Sequence, residues 1–196
     1  MPLRYFAICK PFNMLSQFSR EGEHATLADL PFDFPQDVYP VGRLDADSEG
    51  LLLLSNDKQL NHALLDPSRK HPRTYFAQVE GTVNEDAIAQ LKKGVSISIN
   101  GKKHLTLPAV AKALEDVKLF ERNPPIRYRK NVPDSWISLT LTEGKNRQVR
   151  RMTAAVGFPT LRLVRVSIEQ LELGSMLPGD VREFERDEFY RLLRLR

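Results

Sequence analysis

Two stretches of this chain combine residue types that do chemistry. The first, Val41-Gly-Arg-Leu-Asp-Ala-Asp-Ser48, sets a carboxylate, Asp45, two positions after Arg43, at the end of a segment that reads as extended. Burial raises the pKa of a carboxylic acid and an adjacent cation lowers it again, so a secluded Asp beside an arginine stays ionised. Asp45 is therefore a candidate nucleophile or base. The second stretch, Gly144-Lys-Asn-Arg-Gln-Val-Arg-Arg-Met152, carries Lys145, Arg147, Arg150 and Arg151 into what reads as the first turns of a helix. Backbone N–H groups at such a helix start favour anions, which makes this a candidate phosphate grip.

Helical geometry separates the roles of these cations. At about 100° per residue, Val149, Met152, Thr153 and Val156 form one core-facing stripe, Arg150 lies at its edge, and Arg147 and Arg151 point away from it. Arg150 can reach an interior pocket and is expected to pair with Asp45. Charge is distributed to match. The chain has 196 residues and a net charge of +4, yet residues 126–165 hold nine Lys or Arg against Asp134 and Glu143. A local excess of that size is the footprint of a polyanion site, nucleic acid above all.

Other chemistries fit less well. Asp45, Asp47, Glu49 and Gly50 match the opening of a calcium loop, but its twelfth position is Asn56 where a bidentate Glu is needed. Asp45 and Asp47 sit too close on an extended segment for a glycosidase pair. A two-metal nuclease needs carboxylates from several segments, and there is no second set. His24, His62, His71 and His104 lack ligand spacing, so no zinc site is expected. The single cysteine, Cys9, lies in an apolar run and reads as core, with no disulfide to form. No apolar run is long enough to span a bilayer and no signal peptide is evident, which together predict a soluble cytoplasmic protein, by default a basic monomer with no membrane partner.

The elements that must position these groups follow from period and punctuation. Leu3–Cys9, the buried run Gly50–Ser55, Arg73–Glu80, the alternating Val95–Ile99, Trp136–Thr142 and Leu161–Ile168 predict strands, with Val38–Leu44 extended. A short turn is expected over Thr26–Leu30. Helices are predicted over Asp57–Leu65 with Asp57 as N-cap, over Asn84–Lys93 ending at Gly94, and over Arg147–Val156 ending at Gly157. Strands outnumber helices and hairpin-like neighbours dominate, so the fold class is α+β with a large, mixed, mostly antiparallel sheet. Tyr75, inside a strand, reads on its own as an aromatic with a buried body and a satisfied hydroxyl. Trp136 reads as a packing anchor.

Four segments resemble the successive motifs of the bacterial ribosomal RNA pseudouridine synthases: Gly42–Asp45, Ser48–Asp57, Arg73–Val79 and Glu143–Met152. The Cys9-Lys-Pro11 entry and Leu177–Arg182 also fit, so the similarity covers nearly the whole chain. Arg122–Arg127 and Gly157–Arg162 look most like members that act on large-subunit ribosomal RNA. The resemblance implies one catalytic domain over 1–196, two lobes sharing one sheet, flanking helices and a central cleft holding Asp45, Tyr75 and Arg150. By the same resemblance Asp45 is the catalytic carboxylate, Tyr75 the ring stacked on the target base, Arg150 the cation paired with Asp45, and Arg43 the arginine that helps replace the extruded base. Arg127, Arg129, Lys130, Lys145, Arg147 and Arg151 are candidate RNA-binding residues. The implied reaction converts a uridine of 23S rRNA, free or in a large-subunit assembly intermediate, to pseudouridine with no cofactor and no metal. The entry strand at Leu3 leaves no room for the S4-type domain that precedes many relatives, so target choice would rest on Ile126–Lys130 and Lys145–Arg151. The rival reading is a non-catalytic RNA-binding or ribosome-assembly module of the same fold.

Overall fold

The computed structural model describes residues 2–126 and 132–195. In chain order the elements are β1 (Tyr5–Lys10), β2 (Tyr39–Pro40), β3 (Glu49–Ser55), α1 (Lys58–Leu65), β4 (Arg73–Glu80), α2 (Glu85–Lys93), β5 (Ser96–Ile99), β6 (Lys102–Leu105), β7 (Val110–Leu114), β8 (Asp134–Leu141), α3 (Gln148–Ala155), β9 (Thr160–Ile168), β10 (Leu171–Glu172), β11 (Val181–Phe184) and α4 (Arg186–Leu192). They fall into two compact units, Met1–His71 with Val164–Arg196, and Pro72–Leu163. The chain passes from the first to the second after His71 and returns inside β9.

In the first unit, β3 pairs antiparallel with β1, which pairs antiparallel with β11. The start of β3 runs parallel to β9, with Glu49 opposite Val164 and Gly50 opposite Arg165. Both β1 and β3 are buried along their whole length, which is why they read as unbroken apolar runs rather than as alternation. Each face of β1 has its own cover. The Tyr5 ring meets Phe189 and Tyr190 of α4 at 5.5 and 5.9 Å between centroids. Phe6, on the other face, meets Phe32 and Phe34 of the proline-rich loop at 5.6 and 5.5 Å. Leu51, Leu52, Leu53 and Leu54 are all fully buried, each contributing about 1.5–3 kcal/mol of transfer free energy.

Gly50 is the residue this packing cannot replace. Its φ is +96°, and an added Cβ would stand 2.4 Å from the Arg165 carbonyl oxygen and 2.8 Å from Val164 Cγ1. β3 and β9 can approach only because no side chain intervenes.

Asp57 ties three elements together. One carboxylate oxygen caps α1 by accepting from the N–H groups of Gln59 and Leu60 at 2.9 and 3.2 Å; the other accepts from the hydroxyls of Tyr5 on β1 and Tyr190 on α4 at 2.8 and 2.6 Å. Burial pushes its pKa up, but these four donors outweigh it and hold the group below its free value of 3.8. The same arrangement, burial first, pushes the Tyr190 phenol up to about 12. A carboxylate with a depressed folded pKa contributes stability above its unfolded pKa, and that contribution is lost as pH falls through the folded value. Asp57→Asn is therefore expected to destabilise the protein by about 2 kcal/mol at neutral pH. The gap to the wild type should close as pH drops below 3.8. Urea unfolding of both proteins between pH 7 and pH 3 checks this; a gap that stays constant with pH would refute it.

The second unit is built on β4, β8 and β7. β8 pairs antiparallel with β4 from Arg73 opposite Leu141 to Glu80 opposite Asp134, and with β7 on its other side. Ile137, Leu139 and Leu141 face a core completed by Ala77 and Val79 of β4, Leu91 of α2, Ile97 of β5, and Val149 and Met152 of α3. β5 and β6 form a separate two-stranded hairpin. It is tied to the end of α2 where Gly94, at φ +93°, lets the Thr106 carbonyl come within 2.3 Å of where a Cβ would be.

The predicted helices and most predicted strands are present, with two differences. Val38–Leu44 is not one extended segment: Tyr39–Pro40 pairs with β3, the Val41 N–H still donates to the Leu53 carbonyl at 2.8 Å, and Gly42, at φ +74°, then turns the chain. Arg147 is not helical. It stands at the N-cap of α3 in the left-handed region, at φ 50°.

Candidate active site

Asp45 sits in the loop between β2 and β3, within a turn closed by the Ser48 N–H donating to the Asp45 carbonyl at 3.0 Å. Both of its neighbours are fixed through their backbones. The Ser16 hydroxyl donates to the Leu44 carbonyl at 2.8 Å and accepts from the Leu44 N–H at 3.1 Å. On the other side the Ala46 carbonyl accepts from the Asn13 N–H at 2.8 Å and from the Lys10 ammonium at 3.2 Å. Locking the residues before and after a carboxylate is how a loop delivers it with the precision expected of an active-site group.

Lys10 supplies much of that precision. The side chain is fully buried, and its ammonium also donates to the carbonyls of Pro11 and Met14 at 2.8 and 2.7 Å. Burial pushes its pKa down to about 8, while the charges of Glu49, Asp47 and Asp45 pull it back up. At neutral pH the ammonium is therefore protonated and spends its three N–H donors on three carbonyls. Glu49 is buried beside it at the head of β3, and Arg165 of β9, also buried, donates from Nε to the Leu51 carbonyl at 2.8 Å. The Asp45 loop thus rests on a floor of buried charges of both signs. Among the described residues, no group of three or more His, Cys, Asp or Glu side chains is placed to hold a metal ion. Arg43 is exposed on the same loop.

The other named residues belong to the second unit. Tyr75 lies on β4 opposite Leu139, half-buried, its ring packed against the core while part of it stays accessible. Arg150, on α3, is half-buried with its Nε enclosed, and Nη1 donates to the Thr160 carbonyl at 3.4 Å. Val149, Met152 and Thr153 are buried as the periodicity required.

The loop before α3 is held from beneath. Gln148 is buried; its carbonyl oxygen accepts from the Lys145 N–H at 2.9 Å and its amide nitrogen donates to Glu143 at 2.6 Å. Glu143 in turn accepts from the Leu107 N–H at 2.8 Å and stands 3.2 Å from His104 Nε2. Lys145, Asn146 and Arg147 are left exposed above this network. Arg151 behaves differently from expectation. It folds back onto the protein, donating to the carbonyls of Asn146 and Ser98 and to the Asn146 side chain. These acceptors leave its positive charge in place but restrict its reach.

Two cations counted in the basic stretch are interior. Arg162 is buried, its guanidinium 5.0 Å from the Phe120 ring centroid and bonded to the Phe120 carbonyl, and Arg165 is the floor residue already described. Arg127, Arg129 and Lys130 lie outside the described residues. Sequence reasoning missed Lys10, Ser16 and Glu143. A lysine that ends a wholly apolar strand was the one available signal; nothing in the sequence marks Ser16.

Residues 4–155 match the family described as RNA pseudouridylate synthase, and the chain belongs to that family of isomerases. Its relatives include two proteins named Ribosomal large subunit pseudouridine synthase E. The one from Vibrio parahaemolyticus is 47% identical over 177 residues, covering 90% of this chain and 71% of the relative. The one from Xanthomonas axonopodis pv. citri is 49% identical over 170 residues, covering 86% and 87%. Among solved structures, a crystal structure of a pseudouridylate synthase superposes with a TM-score of 0.78 at 28% identity, covering 97% of this chain and 74% of that one. The α+β class and the expected family are both upheld. Among the described residues, no helix is long and apolar enough to cross a membrane.

Proposed function

We propose that this protein isomerises one uridine of 23S rRNA to pseudouridine, acting as a cytoplasmic monomer on the free RNA or on a large-subunit assembly intermediate. Asp45 is the catalytic carboxylate, Tyr75 the ring that stacks on the target base, and Arg150 the cation that partners Asp45. The observation that carries the reading is the clamped seat of Asp45, a carboxylate whose two neighbours are fixed by Ser16, Asn13 and Lys10. A binding module has no use for that precision in an acidic residue, since RNA phosphates repel it. The bond between uracil N1 and C1′ breaks, the base turns, C5 joins C1′, and the C5 proton leaves as N1 gains one. The product is an isomer, so no electron donor, co-reactant or metal enters the balance. Asp45 must be ionised to act at C1′ or on a sugar proton. The base must leave its stack to be reached, and exposed Arg43 is suited to fill the space it vacates.

Pseudouridine mapping of ribosomal RNA from cells lacking the gene tests the reading. Loss of one large-subunit site, restored by the wild type and not by Asp45→Asn, is the expected result. Persistence of every site would leave the enzyme without this substrate and favour the RNA-binding module. The basic loop has its own test. Arg147→Ala with Arg151→Ala is expected to weaken binding to a 23S transcript roughly ten-fold at moderate salt and to flatten the salt dependence by about one to two counterions. An unchanged salt slope would show that neither charge meets phosphate.

A further inference from the structure

We infer that the β5–β6 hairpin is a second RNA-contact element, gripping the backbone of the substrate strand through Lys102 and Lys103, with Leu105 offered to a sugar or base beside them. The inference rests on the reading of the substrate as RNA. From Lys92 to Leu114 the chain has five lysines and no Asp or Glu.

The hairpin is rigidly mounted and its outer face is bare. Ser96 pairs with Leu105, Ile97 with His104, Ser98 with Lys103 and Ile99 with Lys102. Directly opposed residues share a face, so Ile97 and His104 point inward, where Ile97 joins the core and His104 meets Glu143. The outward set is Ser96, Ser98, Lys103 and Leu105, all exposed; Lys102, opposite Ile99, belongs to the other face but is exposed at the tip of the hairpin. Leu105 is 70% exposed and Val110, just beyond, is 68% exposed. Hydroxyls, an ammonium group and an apolar patch with no carboxylate among them match a phosphodiester strand, which offers anionic oxygens and the apolar faces of its sugars and bases.

Its mounting joins it to the loop already proposed to grip phosphate. Glu143 accepts from the Leu107 N–H, contacts His104, and accepts from Gln148, which holds the Lys145 N–H. Arg151 of α3 reaches the Ser98 carbonyl on β5. Hairpin and loop are therefore joined in one hydrogen-bonded scaffold that carries the exposed Lys102, Lys103, Lys145 and Arg147. A second copy of the chain is a poor occupant, because a two-fold contact through this face would set these lysines against themselves.

The test measures binding to an unmodified 23S transcript in the Asp45→Asn background, so that turnover does not enter. Lys102→Ala with Lys103→Ala is expected to weaken affinity roughly ten-fold and to reduce the slope of log affinity against log salt by more than about one. Lys102→Arg with Lys103→Arg should restore both. Lys58→Ala with Arg191→Ala removes two exposed charges from the first unit and should change neither. The proposal is overturned if the hairpin variant keeps the parent slope, as it would if the face receives an acidic protein segment. It is also overturned if the control loses as much, as it would if only net charge matters. Pseudouridine formation by the Asp45-intact protein decides the isomerase reading separately. A hairpin that proves silent while pseudouridine is made sinks this inference alone; a hairpin effect without any pseudouridine sinks only the isomerase reading.

Discussion

Asp45→Asn is expected to remove turnover, with pseudouridine formation in single-turnover assays on a 23S transcript falling by about four orders of magnitude or below detection. The substitution is nearly isosteric. Hydrogen bonds that position the loop run through the backbones of Leu44 and Ala46 and the turn from Asp45 to Ser48, and asparagine keeps all of these. The asparagine therefore stands where the aspartate stood, without the charge that lets it attack or take a proton. RNA affinity should stay within several-fold of wild type and lean toward tighter binding, because one negative charge has been taken from beside a polyanion. Filter binding and the turnover assay on the same preparation separate the two effects. A variant that still makes pseudouridine would end the assignment of Asp45, whatever its affinity.

The second large effect falls on stability. Gly50→Ala forces a side chain into a backbone conformation that L residues rarely adopt, and drives its Cβ to 2.4 Å from the Arg165 carbonyl. Conformational strain costs about 1–3 kcal/mol and overpacking a tight interior about as much again, so a loss of about 2–5 kcal/mol is expected. For a chain of this size that lowers Tm by roughly 5–15 °C. The damage will not stay local. Gly50 faces Lys10 across β1 and Arg165 across β9, the buried cations beneath the Asp45 loop. Activity per folded molecule should therefore fall as well, which thermal unfolding and activity measured well below Tm will reveal together. Unfolding within 2 °C of wild type, a margin of about 1 kcal/mol or less, would mean that β3 and β9 separate easily at this point.

The parts of this architecture legible in the sequence were those whose cause is local. The Asp57 cap, the Gly94 terminator and the alternation of β8 are written within a few residues of where they act, and each element formed where it was expected. The run Leu51–Leu54 announced a strand covered on both faces. Strands β6, β7 and β11 and helix α4 were not read, since β6 is mostly polar and β11 and α4 owe their order to partners far along the chain. The candidate site divides the same way. Asp45 and Arg150 stand in motifs that can be read directly, whereas Ser16 and Lys10 act on Leu44 and Ala46, respectively, from distances of 28 and 36 residues along the chain. Charge counting overreached at Arg162 and Arg165 because composition does not distinguish a cation facing water from one that serves the interior.

The division of the chain has a consequence for how it is made. The first unit is assembled from two separate segments of the chain, and the second lies wholly between them. As the nascent chain leaves the ribosome, β1 and β3 emerge before the second unit, with Phe6 and the leucines of β3, but β11, α4 and the second half of β9 are synthesised after it. The middle unit can close while translation continues. The unit that bears Asp45 must hold its apolar strands open until β11 and α4 follow the second unit, which makes it the segment most exposed to chaperones, to proteolysis and to aggregation during synthesis.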